Sequence, residues 1–276
     1  MRFHLETYKE RSARLVVDDL DFGEFEDHPL PEAALRCIRY MHDVEYHTVC
    51  YLRDLLASPA HADADITAFL TLWNYEEFWH GEALGMVLAA HGEPAGRPRV
   101  GTVRRRDRRV APWSLAASVL GGAVERELGA LHMTWGAVNE WTTQAAYARL
   151  LARAPHPVLG ELLRRLMRQE GRHVDFYASQ AADRLATSRR SQQVVRLALK
   201  RAWRPVGSGI VPRSEVDFVA AWLFDGEDGL AAARRVDRHI DRLPGLAGLG
   251  IVERARSSAL TRAHSVRSDE EISIRT

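Results

Sequence analysis

The chain has 276 residues, 46% of them hydrophobic, with 38 basic against 37 acidic side chains, a formal charge of +1. That balance excludes a general electrostatic pull toward nucleic acid or membrane surfaces, and no apolar run reaches the roughly eighteen residues of a membrane span. The first twenty residues lack the apolar centre of a signal peptide, and Cys37 and Cys50 fall roughly 20 Å apart along one predicted helix, too far to pair, so a cytoplasmic location is expected.

In chain order, residues 1–30 read as a lead-in: a short amphipathic helix and then an acidic stretch. Pro31 suits the first turn of a helix running to about Ala57, before Pro59. Asp63 or Asp65 can cap a second helix, which His91-Gly92 ends. The segment from Gly92 to Pro112 carries three prolines and seven arginines and reads as a long crossover. A third helix is expected from about Ser114 to Arg153, where Pro155 and Pro157 break it, and a fourth from Val158 to Leu185. A basic amphipathic segment from Arg184 to Arg204 and two helices, Glu215 to Phe224 and Gly226 to Leu243, follow. The polar residues 263–276 read as a disordered tail. Hairpin, crossover, hairpin is the connectivity of an all-α, ferritin-like four-helix bundle, here over residues 31–262 with additional C-terminal helices.

Chemistry concentrates on apolar helix faces. Glu77/His80 and Glu170/His173 are Glu-x-x-His pairs, and residues i and i+3 project from one face of a helix. Each pair follows a lone glutamate, Glu45 by 32 residues and Glu140 by 30. The halves repeat with offsets of 95 at the lone glutamate (140 − 45) and 93 at both members of the pair (170 − 77, 173 − 80). All six sit within helical stripes, such as Leu35, Ile38, Met41, Glu45, Val49, Leu52 and Leu56, or Ile66, Phe69, Leu70, Trp73, Glu77, His80, Leu84 and Val87. An acid on a core face needs a cationic partner, and four carboxylates with two imidazoles suit a binuclear site for two iron ions, with manganese also accepted by this donor set. Gly136, one turn before Glu140, either leaves room beside such a site or allows close helix packing.

The stretch from Trp73 to Gly81, a Trp followed by Glu-Glu-x-x-His-Gly, resembles the first metal motif of the soluble acyl-carrier-protein desaturases. Gln169-Glu-Gly-Arg-His-Val-Asp-Phe-Tyr177 resembles their second, with Gln169 in place of an acid, and Glu140 with Thr143 matches their third-helix pattern. The resemblance covers roughly residues 30–245. It implies that Glu77 and Glu170 bridge two iron ions, that Glu45 and His80 complete one and Glu140 and His173 the other, and that Thr143 donates a hydrogen bond or proton near bound dioxygen, unless its hydroxyl simply bonds the helix carbonyl behind it. Tyr177 would be either a ligand-facing hydroxyl or a plain core residue. The implied activity is O2-dependent desaturation of a fatty acyl chain on acyl carrier protein, with a ferredoxin-type electron donor and a homodimeric enzyme. Arginines of the crossover and of Arg184 to Arg204 are candidates for meeting the acidic carrier. The same ligands would serve a ferritin-like hydroxylase or N-oxygenase of secondary metabolism, or less readily a ferroxidase or iron-storage protein.

Overall fold

The computed structural model describes residues 3–56, 62–96, 99–101 and 125–274. Among them the protein is all-α, with no strand and one isolated bridge between Ser208 and Val211. The bundle is formed by α3 (Glu32–Glu45) with α4 (Thr48–Leu56), α5 (Ala64–Ala90), α6 (Glu125–Arg153) and α7 (Pro157–Ala186), preceded by the short α1 (Leu5–Arg11) and α2 (Glu24–Asp27). Helix α3 packs along α5 and α6 along α7, and the two pairs meet through α5 with α7 and α3 with α6. The expected crossover and the start of the third helix lie largely outside the described residues.

Local chemistry sets the helix ends. The Asp63 carboxylate accepts from the amides of Asp65 and Ile66 and so caps α5, satisfying two of the donors that a helix start leaves open. His156 plays that part for α7, with Pro157 in the first turn, a position where its missing N–H costs nothing.

The first helix does not run unbroken to Ala57. It stops at Glu45, and Tyr46 and His47 form a turn before α4 begins. The amides of His47 and Cys50 bond three residues back, to Val44 and His47, and the Thr48 hydroxyl donates to the Glu45 carbonyl at 2.7 Å. This tighter winding rotates the following helix, so the apolar face shifts register. Val49 and Leu56 point outward, at 38% and 43% exposure, and Leu55 is buried in their place.

The C-terminal helices α8 (Arg189–Ala202), α9 (Arg213–Leu223), α10 (Gly226–Asp241) and α11 (Ile251–Ile274) brace one flank of the bundle, with α8 and α10 against α6 and α9 against α3. Asp237 of α10 accepts from the amides of Val252 and Glu253 and caps α11. That helix continues to Ile274, through the stretch that the composition marks as a tail.

At the opposite flank the lead-in lies against the bundle. Arg165 of α7 clamps it by pairing with Asp19 and donating to the Val16 carbonyl. Phe3 and Tyr8 join Phe69 and Phe176 in a buried aromatic cluster.

Candidate metal centre

The four bundle helices bring all six chemically marked residues into one buried cluster. Glu45 comes from the end of α3, Glu77 and His80 from α5, Glu140 from α6, and Glu170 and His173 from α7; none is more than 7% exposed. Two overlapping sets result: Glu45, Glu77, His80 and Glu170, and Glu77, Glu140, Glu170 and His173. In each set one ligand atom per residue lies within 4.8 Å of all the others. Glu77 and Glu170 belong to both. His80 Nδ1 stands 3.2 Å from Glu170, 3.7 Å from Glu77 and 3.9 Å from Glu45. His173 Nδ1 stands 3.0 Å from Glu77, 3.1 Å from Glu170 and 4.0 Å from Glu140.

The surrounding hydrogen bonds decide which imidazole nitrogen faces the cluster. The Gln169 amide nitrogen donates to the Ala13 carbonyl at 3.0 Å, a group that can only accept. Its amide oxygen therefore faces His80 Nε2 at 2.9 Å, and that nitrogen must carry the proton. Across the site the Glu76 carboxylate takes His173 Nε2–H at 2.7 Å. Both Nδ1 atoms are thereby turned inward, where loss of the inner proton would offer their lone pairs to a cation, the arrangement that ligating histidines adopt. Nδ1 of His80 and Oε1 of Glu170 are buried 3.2 Å apart with no well-aligned hydrogen-bond partner among the described residues, as ligand atoms turned toward a cation would be. The donor set fits a divalent transition metal of intermediate hardness.

Glu76 was not singled out by the sequence pattern, yet it is completely buried and heavily used. It accepts from Tyr8 Oη at 3.0 Å, Arg172 at 2.7 Å and the Ala13 amide at 3.4 Å, besides His173. One signal could have revealed it. Glu76 and Gln169 each precede a shared glutamate, and they are separated by the same 93 residues (169 − 76) as the ligand pairs. The backbone of Ala13 joins the two, its N–H on Glu76 and its C=O on Gln169.

The outer glutamates are held across the hairpins. Glu45 accepts from Tyr147 of α6, and Glu140 from Trp73 Nε1 of α5 at 3.1 Å. Charge is distributed unevenly. Burial, and then the neighbouring Glu77 and Glu170 charges, raise Glu45 and Glu140 well above the ordinary carboxylate range. Burial also opposes charge on Glu77 and Glu170, but hydrogen bonds from the histidines and, at Glu77, from Glu45 keep both low. His80 resists its own desolvation because Glu170 and Glu77 push it up to about 9. Protons thus gather on the outer glutamates and the imidazoles, and negative charge on the two shared glutamates.

Beside the cluster lies a chamber of about 330 Å³, walled by α3, α4, α5, α6 and α7 and by the loop 202–210. Thr143 lines it. Its neighbour Thr142 bonds back to the Val138 carbonyl, whereas Thr143 makes no hydrogen bond among the described residues and is left to the chamber. Tyr51 and Tyr177 also line it, packed edge-on against Trp73, and both hydroxyls are buried without a partner among the described residues. Gly136 serves close packing: a Cβ there would run into the Tyr177 ring. A narrow apolar branch of about 60 Å³ continues between Met41, Val44, Ala146, Val219 and Phe224.

Comparison with protein-family models, with curated proteins and with solved structures returns no match. No helix among the described residues is long and apolar enough to cross a membrane.

Proposed function

We propose that the protein is an O2-dependent binuclear iron oxidoreductase. The observation that carries this reading is the pair of overlapping four-residue ligand sets sharing Glu77 and Glu170, all buried, with the four glutamates lining one chamber. Four carboxylates and two neutral imidazoles offset the charge of two divalent ions, which accounts for so many acids in a core.

Iron held by such ligands supplies the electrons that reduce dioxygen far enough to break an unactivated C–H bond. The chain supplies the setting. Glu45 and His80 complete one side and Glu140 and His173 the other, while Glu76, Gln169, Trp73 and Tyr147 fix the ligand rotamers. The Thr143 hydroxyl is placed to donate a hydrogen bond or pass a proton at Oγ1 to a group in the chamber. Trp73 and Tyr177 form the wall of the chamber beside the ligands.

The first reading of the substrate is an acyl chain, desaturated with electrons from a ferredoxin-type donor. The apolar branch beyond Glu45 and Thr143 supports it by offering an alkyl end a dry pocket. By resemblance the acyl chain is carried on acyl carrier protein and the enzyme is a homodimer. The second reading, hydroxylation or N-oxygenation, is favoured by the unpartnered hydroxyls of Tyr51 and Tyr177, which would suit a polar group beside the metals. Metal analysis, followed by mass spectrometry of acyl-carrier-protein incubated with enzyme, reductant and air, separates these. Loss of two hydrogens supports desaturation and gain of one oxygen supports hydroxylation. A metal-loaded, reduced enzyme that consumes no oxygen with any acyl or amine substrate would refute the proposal.

A further inference from the structure

A second cleft, of about 680 Å³, opens beside the mouth of the metal chamber, between α8, the start of α9 and α11. Its charged lining is one-sided: Lys200, Arg204, Arg213, Arg254 and Arg262 against the single acid Asp217. Asp217 is already engaged, because Arg262 grips both of its oxygens, at 2.6 and 2.7 Å. Arg213 reaches the same carboxylate only at 3.7 Å, and Lys200, Arg204 and Arg254 make no ion pair among the described residues. Arg204 and Arg254 each give one nitrogen to backbone carbonyls and keep the other donors of the fork.

Several arginines elsewhere are instead held by carboxylates. Arg36, Arg99 and Arg165 each grip a carboxylate with two nitrogens, and Arg172 and Arg184 each hold one at 2.7 and 2.9 Å. In a chain whose total charge is only +1, five cations and one engaged acid line a concave surface that could enclose a ligand. Helix α9 adds to it, since it begins in the cleft at Arg213 and no side chain caps its first turn. Open amides at a helix start favour anions, and arginine forks match phosphate oxygens.

Arg204, Pro205 and Ser208 line both this cleft and the metal chamber. One molecule can therefore occupy both, with a charged head outside and an organic end beside the metals. We infer that the cleft is a binding site for the polyphosphate head of a free small-molecule substrate, such as a coenzyme-type thioester, whose organic end enters the chamber. A concave site with several unpaired cations fits a compact polyanion better than the broad face needed by a carrier protein, where one partner typically covers roughly 800 Å². The inference takes from the proposed function only that the reacting end enters the metal chamber.

The test is a calorimetric titration of the intact protein with inorganic pyrophosphate, coenzyme A and, separately, phosphopantetheinylated carrier protein. The comparison variant is Lys200→Ala/Arg254→Ala. Both side chains are exposed, and a thermal melt checks that the variant folds. The inference expects pyrophosphate and coenzyme A to bind, at least tenfold weaker in the variant and steeply weaker with added salt. Absence of pyrophosphate and coenzyme A binding, or binding that the double variant leaves unchanged, overturns it. So does carrier protein that binds through these residues while coenzyme A does not. Because binding is read without turnover, coenzyme A that binds while its thioesters are never oxidised would leave this site standing and remove the proposed reaction.

Discussion

The two histidines of the candidate metal centre occupy equivalent places in the repeat but are held by different chemistry. His173 gives its outer N–H to Glu76, a charged acceptor that also collects Tyr8 and Arg172. His80 gives its own to Gln169, a neutral amide tethered to the Ala13 carbonyl. A carboxylate acceptor makes an imidazole a more basic ligand than an amide does, so the two metal positions should differ in affinity although their direct ligands match. The repeat therefore specifies where the ligands stand, and the residues one layer out specify how each position behaves. The strap around Ala13 links the two halves by touching both acceptors.

The largest effect is expected where the halves are not separate. Glu170→Ala removes a ligand of both sets, and metal content measured after gel filtration should fall to near zero. Glu45→Ala or Glu140→Ala should each spare one position.

Next comes the outer layer. Glu76→Ala leaves Arg172 and His173 Nε2 without their buried acceptor. A broken buried charge pair costs about 3–5 kcal/mol, and affinity at the His173 position should drop about 10–100-fold. Gln169→Ala removes a neutral acceptor, at about 1–3 kcal/mol, and should weaken mainly the His80 position. Differential scanning calorimetry and metal titration read both, and equal losses in the two variants would erase the distinction drawn here.

Protons provide a third comparison. His80 is raised from an ordinary 6.5 to about 9 in the metal-free cluster. Its contribution to stability is therefore fully present below about 6.5 and disappears as pH rises through about 9. Metal-free protein should accordingly melt at progressively lower temperature across that window. Metal must displace the same proton, so affinity should rise over the same range, and the loaded protein should not share the loss of stability. The smallest effect is expected at Gly136→Ala, where the added methyl meets the Tyr177 ring. Overpacking of this kind costs about 1–3 kcal/mol, visible as a lower melting temperature with metal content retained.

Much of the site was legible in the sequence because its positions obey local rules. A helix puts i and i+3 on one face, and the repeat with offsets of 93 and 95 brings the two faces together. The outer layer is less legible. Glu76 looks like an ordinary neighbour of Glu77 until the fold lays Tyr8, Ala13 and Arg172 against it, and those contacts span 63 to 96 residues of sequence. The turn at Tyr46 and His47 also escapes a periodicity argument. The apolar spacing through Val49, Leu52 and Leu56 continues as though the helix did, while the backbone tightens at Glu45 and turns that face outward. The chamber and the basic cleft depend on α8, α9, α11 and the loop between α8 and α9, whose placement against the bundle no local pattern announces.

The proposed function requires one chain to hold two metal ions through six side chains that share Glu77 and Glu170. Anaerobic titration of the metal-free protein with iron(II), read as bound iron per chain, tests it most directly. The account predicts saturation at two ions per chain, with the second population lost at the weaker, His80 position when iron is limiting. Saturation at a single ion, or binding that survives Glu170→Ala intact, would contradict it.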